Sequence, residues 1–269
     1  MTIKHVLDHL GRSVAVPFPP KRIVSLCPSL TETLFALGVG ERVIGRTQFC
    51  IHPTEALADV VRVGGTKQVK DDVLASLAPD LIIAEKEENP KEMVERLAES
   101  YPVYVTDVET YEDALHMIRD LGRVVGARVE AKQLIREIET GFAELMQVDG
   151  KRVAYFIWQN PYMVVGDHTY IHSLLSRCGF VNVFAEAEGR YPAVTEDDIR
   201  AAAPDYLFLS SEPFPFAQKH REALSALFPD STVVLVDGEM FSWYGSRMVA
   251  AARYLRNLVR DTTGSSFNT

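Results

Sequence analysis

Residues 69–80 read VKDDVLASLAPD, and residues 194–205 read VTEDDIRAAAPD. The two stretches align on their Pro-Asp pairs, and each leads into an apolar segment, LIIA at 81–84 and YLFL at 206–209. The pattern predicts, twice in the chain, a short helix with an acidic first turn, a Pro-Asp turn and a buried strand. Because this connection is also common in α/β proteins, the flanking segments must decide whether the repeat is real.

The segments around both copies have the same layout. Ser29-Leu30-Thr31-Glu32 predicts a capping box, and Gly38 stands where a C-terminal glycine belongs. Alternating strands and helices predict an α/β fold of two Rossmann-like lobes with mostly parallel sheets. The predicted strands are 22–26, 43–45, 81–84, 103–106, 153–158, 206–209 and 233–236, and the predicted helices are 30–37, 90–99, 170–177, 218–227 and 245–260.

Residues 111–147 contain no proline and lie between the two halves. Gly122 and Gly126 indicate a break, so we predict helices at 111–124 and 128–147. The second helix is amphipathic, and about 20 residues would span roughly 30 Å, the width of a small lobe. The predicted division is an N-terminal lobe at 1–127, a single long backbone helix at 128–147 and a C-terminal lobe at 148–269.

Composition excludes several classes of protein. The net charge of −9 argues against a nucleic-acid partner, and no apolar run reaches the length of a membrane span. Cys27, Cys50 and Cys178 are odd in number and widely spaced, which argues against a disulfide framework. The first residues lack the order of an export signal, so either such a signal is absent from this chain or the protein is cytoplasmic.

The segment RIVSLCPSLTETLFALG (22–38), VGGTK (63–67), the strand after LAPD, the long helix and the second similar lobe resemble the helical-backbone (class III) periplasmic solute-binding proteins. These proteins are receptors for vitamin B12, haem and iron–siderophores and serve ABC importers. The resemblance covers about residues 21–260. Within the group it is closest to the vitamin B12-binding proteins, through residues 49–53, the repeat copies and Asn160-Pro161.

The resemblance implies a function. It implies a monomeric binding protein that captures a metal chelate in the cleft between its lobes for an ABC importer. Such a protein is not an enzyme and has no cofactor. Cobalamin or another corrinoid is the favoured ligand, and haem or a ferric siderophore comes next. The implied location is the periplasm or the cell surface.

The resemblance also assigns individual residues. Phe49 and Tyr191 match aromatic positions that pack on the corrin, whereas Thr66 and Glu85 stand where the vitamin B12 receptors have tryptophans. Asp72 and Asp197 match the acidic positions that dock on the permease. The alternative is that these two acids only complement the dipoles of their helices.

In a sheet of this winding, ligands bind outside the carboxyl ends of the strands. Aromatic residues among Pro, Gly and Ser in such loops are typical of ligand contacts, although they can also plug the end of their own lobe, as we expect for Phe214. Arg247 could clamp an anion or pair with Asp237 or Glu239. The ligand-binding candidates are Phe49, Cys50, His52, Thr66, Glu85, Trp158, Tyr162, Tyr191, Glu212, Phe216, Trp243, Tyr244 and Arg247.

Other chemistry has weaker signals. His52, His220 and Glu239 are possible metal ligands, without the spacing of a known metal motif. A Cys50–His52 nucleophile and base would point to opposite sides of an extended segment, and Glu85, Glu87 and Glu88 are expected to form a solvated charge run. The alternative function is therefore a cytoplasmic metal- or tetrapyrrole-handling protein or enzyme on the same fold, binding metal directly.

Overall fold

The chain forms two α/β units, each with its own sheet. The structure is a computed structural model and describes residues 2–262. The first unit contains the described residues up to Val108, Glu112–Glu139 and Tyr244–Arg247. The second contains Glu109–Tyr111, Thr140–Trp243 and the described residues from Met248 onward.

The first unit contains a five-stranded sheet in the order β5-β4-β3-β6-β7, and all its neighbouring strands are parallel. Its apolar core includes Val24, Ile82 and Val105, which are almost fully buried. A separate antiparallel hairpin of β1 and β2 precedes this sheet and was not predicted. The strands are β1 (Thr2–Leu7), β2 (Ser13–Phe18), β3 (Ile23–Ser25), β4 (Val43–Thr47), β5 (Val61–Gly64), β6 (Leu81–Glu85) and β7 (Val103–Thr106), and the helices are α1 (Pro28–Ala36), α2 (Asp71–Leu77), α3 (Lys91–Ala98), α4 (Tyr111–Val125) and α5 (Arg128–Ala143).

The second unit has a mixed sheet in the order β11-β9-β8-β12-β13, with β10 also beside β8. Strands β8, β12 and β13 are parallel, as predicted, whereas β9 and β11 are antiparallel to their neighbours. The antiparallel edge follows from the turn after β8, which returns the chain directly as β9. The strands are β8 (Arg152–Trp158), β9 (Tyr162–Val164), β10 (Val181–Asn182), β11 (Ala193–Val194), β12 (Tyr206–Ser210) and β13 (Thr232–Val236), and the helices are α6 (Tyr170–Arg177), α7 (Glu196–Ala202), α8 (Gln218–Leu227), α9 (Glu239–Ser242) and α10 (Met248–Thr262).

The internal repeat is confirmed by its hydrogen bonds. Helices α2 and α7 end in the same way, since Ala78 and Ala203 have φ of 41° and 43°. The aspartate of the first Pro-Asp pair accepts the Arg22 N–H at 2.9 Å, and that of the second accepts the Arg152 N–H at 2.8 Å. The Arg22 side chain also donates to a carbonyl at the end of α2, and the Arg152 side chain donates to one at the end of α7. Each copy therefore joins the start of one strand to the Pro-Asp turn before the neighbouring strand: the start of β3 to the turn before β6, and the start of β8 to the turn before β12.

At the ends of α1, one prediction was wrong and one is confirmed. Helix α1 begins at Pro28, without a side-chain cap, so the predicted capping box at Ser29 and Glu32 does not form. Proline suits the first helical position, and the Glu32 carboxylate pairs elsewhere. Gly38 has the expected positive φ of 71°.

Helix α5 ends at Ala143, before the predicted residue 147. The chain leaves the helix because the Val148 N–H donates to the Cys178 carbonyl, 2.8 Å away. Residues of α5 up to Glu139 belong to the first unit, and those from Thr140 belong to the second. The role of 128–147 as the backbone helix between lobes 1–127 and 148–269 stays a prediction.

Candidate functional site

Asn89 joins three loops at the carboxyl ends of the strands of the first unit. Its Nδ2 donates to the carbonyls of Leu26, 3.2 Å away, and Thr66, 2.8 Å away. Its Oδ1 accepts the Glu85 N–H at 2.8 Å. Asn89 is buried, so these bonds replace water and hold the loops after β3, β5 and β6 in one arrangement. The sequence places Asn89 in the right loop, but it carries no signal of this bridging role.

Glu85, the last residue of β6, is only 2% exposed. Its Oε2 accepts the backbone N–H groups of Glu87 at 2.7 Å and Glu88 at 2.9 Å. Burial raises the pKa of Glu85 to about 7, and the nearby carboxylates add to the rise while the two backbone hydrogen bonds oppose it. The expectation of a solvated charge run was therefore wrong for Glu85, because the loop folds back over its carboxyl group.

Tyr244 lies beside the start of α1 in a polar cluster of the first unit. Its hydroxyl is 4.0 Å from the Cys27 sulfur, which lies 3.2 Å from the Ser29 hydroxyl. Burial raises the pKa of both Tyr244 and Cys27, and the Glu85 charge contributes to each rise. Glu85, Tyr244, Cys27 and Ser29 therefore form one polar group at the carboxyl edge of this sheet. We call them the Glu85 cluster.

The segment that carries Tyr244 packs on α1. Gly245 has φ of 85°, and a Cβ atom built on it would lie 2.0 Å from the Thr33 hydroxyl, so only glycine fits. The Arg247 guanidinium lies 3.0 Å from the Glu32 carboxylate and donates to it through Nε. Glu32 was not among the partners that we predicted for Arg247. Its carboxylate occupies the face of the guanidinium group that an anionic ligand would need.

The loop after β4 presents one of its candidates and buries another. Phe49 is 52% exposed, whereas Cys50 is fully buried. The Cys50 sulfur lies 3.1 Å from the hydroxyls of Thr31 and Thr47, and burial raises the pKa of the thiol. These contacts and the core enclose the Cys50 sulfur, and the role of Cys50 as a ligand contact stays a prediction. His52 is half-buried in the same loop.

In the second unit, Trp158 ends β8 and is 40% exposed. Its ring meets that of Phe214 edge to face, with centroids 5.6 Å apart. Phe214 packs against the core of this unit, as predicted. Phe216 is buried and belongs to the core of this unit, and its role as a ligand contact stays a prediction. Tyr162 in β9 also packs on the core.

Glu212 and Trp243 are brought together in the second unit. Glu212 Oε1 accepts hydrogen bonds from Trp243 Nε1 at 2.9 Å and from the Ser242 hydroxyl at 2.6 Å. Burial raises the pKa of Glu212, and these two donors partly oppose the rise. Trp243 and Tyr244 are both largely buried, and their roles as ligand contacts stay predictions. Tyr191 is half-buried.

The two candidate docking acids lie in equivalent first turns. Asp72 is exposed near the start of α2, and 97% of the Asp197 side chain is exposed in α7. Asp197 lies 3.2 Å from Arg200 in the same helix, an exposed pair that restrains it little. Both carboxylates are therefore available to a partner as far as their burial is concerned.

One of the possible metal ligands has another contact, since His220 Nδ1 accepts the Ala217 N–H at 2.9 Å. Glu239 is half-buried. Over residues 2–262, no group of three or more His, Cys, Asp or Glu side chains, with His52 or without it, could hold a metal ion.

The family model described as periplasmic binding protein matches residues 23–227. A vitamin B12-binding protein of Vibrio cholerae serotype O1 is 27% identical over 205 residues, which are 73% of each chain. Among solved structures, the periplasmic vitamin B12 binding protein BtuF of Vibrio cholerae has a TM-score of 0.75 at 23% identity, covering 92% of this chain and 100% of its own. The periplasmic heme-binding protein RhuT of Roseiflexus sp. RS-1 has a TM-score of 0.77 at 21% identity, covering 90% and 98%. The two structures are similar to this chain in fold. In the part of the chain that the structure describes, no helix is long and apolar enough to cross a membrane.

Proposed function

The chain belongs to the periplasmic binding protein family, and we propose that it captures a metal chelate and delivers it to an ABC importer. Cobalamin or another corrinoid is the first choice of ligand, and haem or a ferric siderophore is the second. The observation that carries the proposal is the match to a vitamin B12-binding protein over most of both chains. The protein binds and releases its ligand, and we assign it no reaction.

Two exposed rings support a flat ligand. Phe49 follows β4 in the first unit and Trp158 ends β8 in the second, so each ring stands at the carboxyl end of a parallel strand. Rigid aromatic faces in such positions suit stacking on a large conjugated or corrin ring. The contacts we propose for the ligand are Phe49, His52, Thr66, Glu85, Trp158, Tyr191 and Tyr244.

The remaining candidates support the loops that carry the ligand contacts. Glu212 holds Trp243 and Arg247 holds Glu32, so we propose that these pairs, together with Tyr162, fix the loops that carry the contacts. Such support keeps a binding surface in one geometry before the ligand arrives, which lowers the ordering cost of binding.

We place the protein in the periplasm or at the cell surface, where its partners are a small molecule and an ABC permease. Asp72 and Asp197 are the proposed docking acids, since each is exposed in the first turn of an equivalent helix. Arginines of a permease would meet them as charge-assisted pairs.

Tryptophan fluorescence tests the proposal, because the chain contains only Trp158 and Trp243. We expect cyanocobalamin to quench the emission at micromolar concentration or below. The change should disappear in Trp158→Phe, whose ring is exposed, and persist in Trp243→Phe. Quenching that depends on Trp243 alone would contradict the assignment of Trp158 as a contact. Mass spectrometry of the ligand after overnight incubation should return it unchanged, and a converted product would contradict the binding function.

A further inference from the structure

The Glu85 carboxyl group is only half satisfied by the protein. Both backbone hydrogen bonds that it accepts go to Oε2. Among the described residues, none donates a hydrogen bond to Oε1. The nearby lysines are engaged elsewhere: Lys67 lies 3.9 Å from Glu88, and Lys86 lies 2.6 Å from Asp107. A carboxylate that is 2% exposed therefore keeps one acceptor oxygen without a donor or a cation from the described chain.

Such an arrangement has a cost that a ligand can offset. A carboxyl group that is 2% exposed meets little water, and a charge-assisted hydrogen bond from a bound molecule to Oε1 is stronger than one between neutral groups. The loop geometry is fixed by Asn89, so the group cannot easily turn out to water instead. The Glu85 charge acts on Tyr244 and Cys27, and Cys27 contacts Ser29; these polar groups suit the edge of a ligand better than its apolar face.

We infer that Glu85 recognises an N–H donor on the edge of the ligand, a primary amide first, and discriminates against a carboxylate at the same place. This inference rests on the proposed function and narrows it. A corrin ring carries primary amides around its edge, whereas the porphyrin of haem carries two carboxylates. The Glu85 cluster therefore selects corrinoids over haem within the proposed ligand class.

The test uses two corrinoids with the same ring, cobinamide, which carries peripheral amides, and dicyanocobyrinic acid, which carries carboxylates in their place. Calorimetric titration at pH 8 of the full chain should show cobinamide binding about tenfold more tightly or better, a difference of about 1.4 kcal/mol. In Glu85→Gln, an isosteric change, the preference should fall to about threefold or less. Glu87→Gln removes the same charge two residues away, from an exposed side chain, and should keep most of the preference.

A pH series on the unaltered protein gives an independent measurement should Glu85→Gln fold poorly. The preference should rise between about pH 6 and pH 8.5, because ionised Glu85 attracts the amide and repels the carboxylate. The other titratable groups near it are Glu87, Glu88, Cys27 and Tyr244, and burial raises the pKa of the last two well above their usual values. The rise should be absent in Glu85→Gln.

The outcomes separate the two proposals. Corrinoid binding with a preference that neither Glu85→Gln nor pH alters would overturn the role of Glu85 and leave the proposed function standing. Failure of both corrinoids and of cyanocobalamin to bind would overturn the proposed function and this inference with it.

Discussion

Replacing Asn89 with Ala removes the side chain that joins three loops of the candidate site. Three hydrogen bonds are lost, those from Nδ2 to the Leu26 and Thr66 carbonyls and that from the Glu85 N–H to Oδ1. Each contributes about 0.5–1.5 kcal/mol, so the free energy of unfolding should fall by about 3 kcal/mol. The partner groups lie in a buried region, so water can replace Asn89 only in part.

Urea unfolding followed by circular dichroism measures this loss, and calorimetric titration with cyanocobalamin measures its effect on the site. Asn182→Ala is the matched control, since buried Asn182 donates to the Val165 carbonyl at 2.8 Å and accepts the Phe184 N–H at 3.1 Å. It lies beside the amino end of β8, so it should lower stability without changing ligand affinity. A loss below about 0.5 kcal/mol for Asn89→Ala, or equal effects of both variants on affinity, would refute the reasoning.

Three further predictions concern other parts of the chain. The double variant Asp72→Ala and Asp197→Ala should abolish stimulation of a cognate permease and leave ligand affinity unchanged. The control is Asp71→Ala with Glu196→Ala, which alters neighbouring exposed acids, and an equal loss of stimulation there would contradict specific docking. Thr195→Ala removes a capping box in which the Thr195 hydroxyl accepts the Asp198 N–H, and should lower stability by about 1 kcal/mol in urea unfolding; no change would show that α7 needs no cap. Since the pKa of Glu85 is about 7 in the folded protein against an ordinary 4.5, the folded state binds more protons between these values. Its free energy of unfolding should therefore fall by about 3 kcal/mol as pH rises through that window, and urea unfolding of Glu85→Gln should lack this part of the fall. Parallel profiles of stability against pH for the two proteins would contradict this prediction.

The repeated elements could be predicted because their signals are local. Proline and acidic residues set the ends of α2 and α7, and continuous apolar runs identify the buried parallel strands β6 and β12. The hairpin of β1 and β2 escaped prediction because all six side chains of β1 lie exposed or half-buried without an apolar face. The start of α1 was misplaced because Pro28 and the pairing of Glu32 with Arg247, distant in sequence, override the local capping pattern.

The site was harder to predict than the fold, because exposure depends on contacts between distant segments. Sequence context places Phe49 and Trp158 at strand ends, and both are exposed there. The same context suits Phe216 and Cys50, yet both are buried by packing that the local sequence does not encode. Asn89 bonds to Thr66, 23 positions away in the chain, and to Leu26, 63 positions away, so no local motif could reveal this bridge.

The most direct test of the central claim is calorimetric titration of the purified chain with cyanocobalamin, haemin, a ferric siderophore and a bare divalent cation under one buffer condition. The account predicts that cyanocobalamin binds with one-to-one stoichiometry and a Kd of about 1 μM or below, equivalent to about −8 kcal/mol, and more tightly than haemin. Heat from the divalent cation alone, with none from the three chelates, would contradict it.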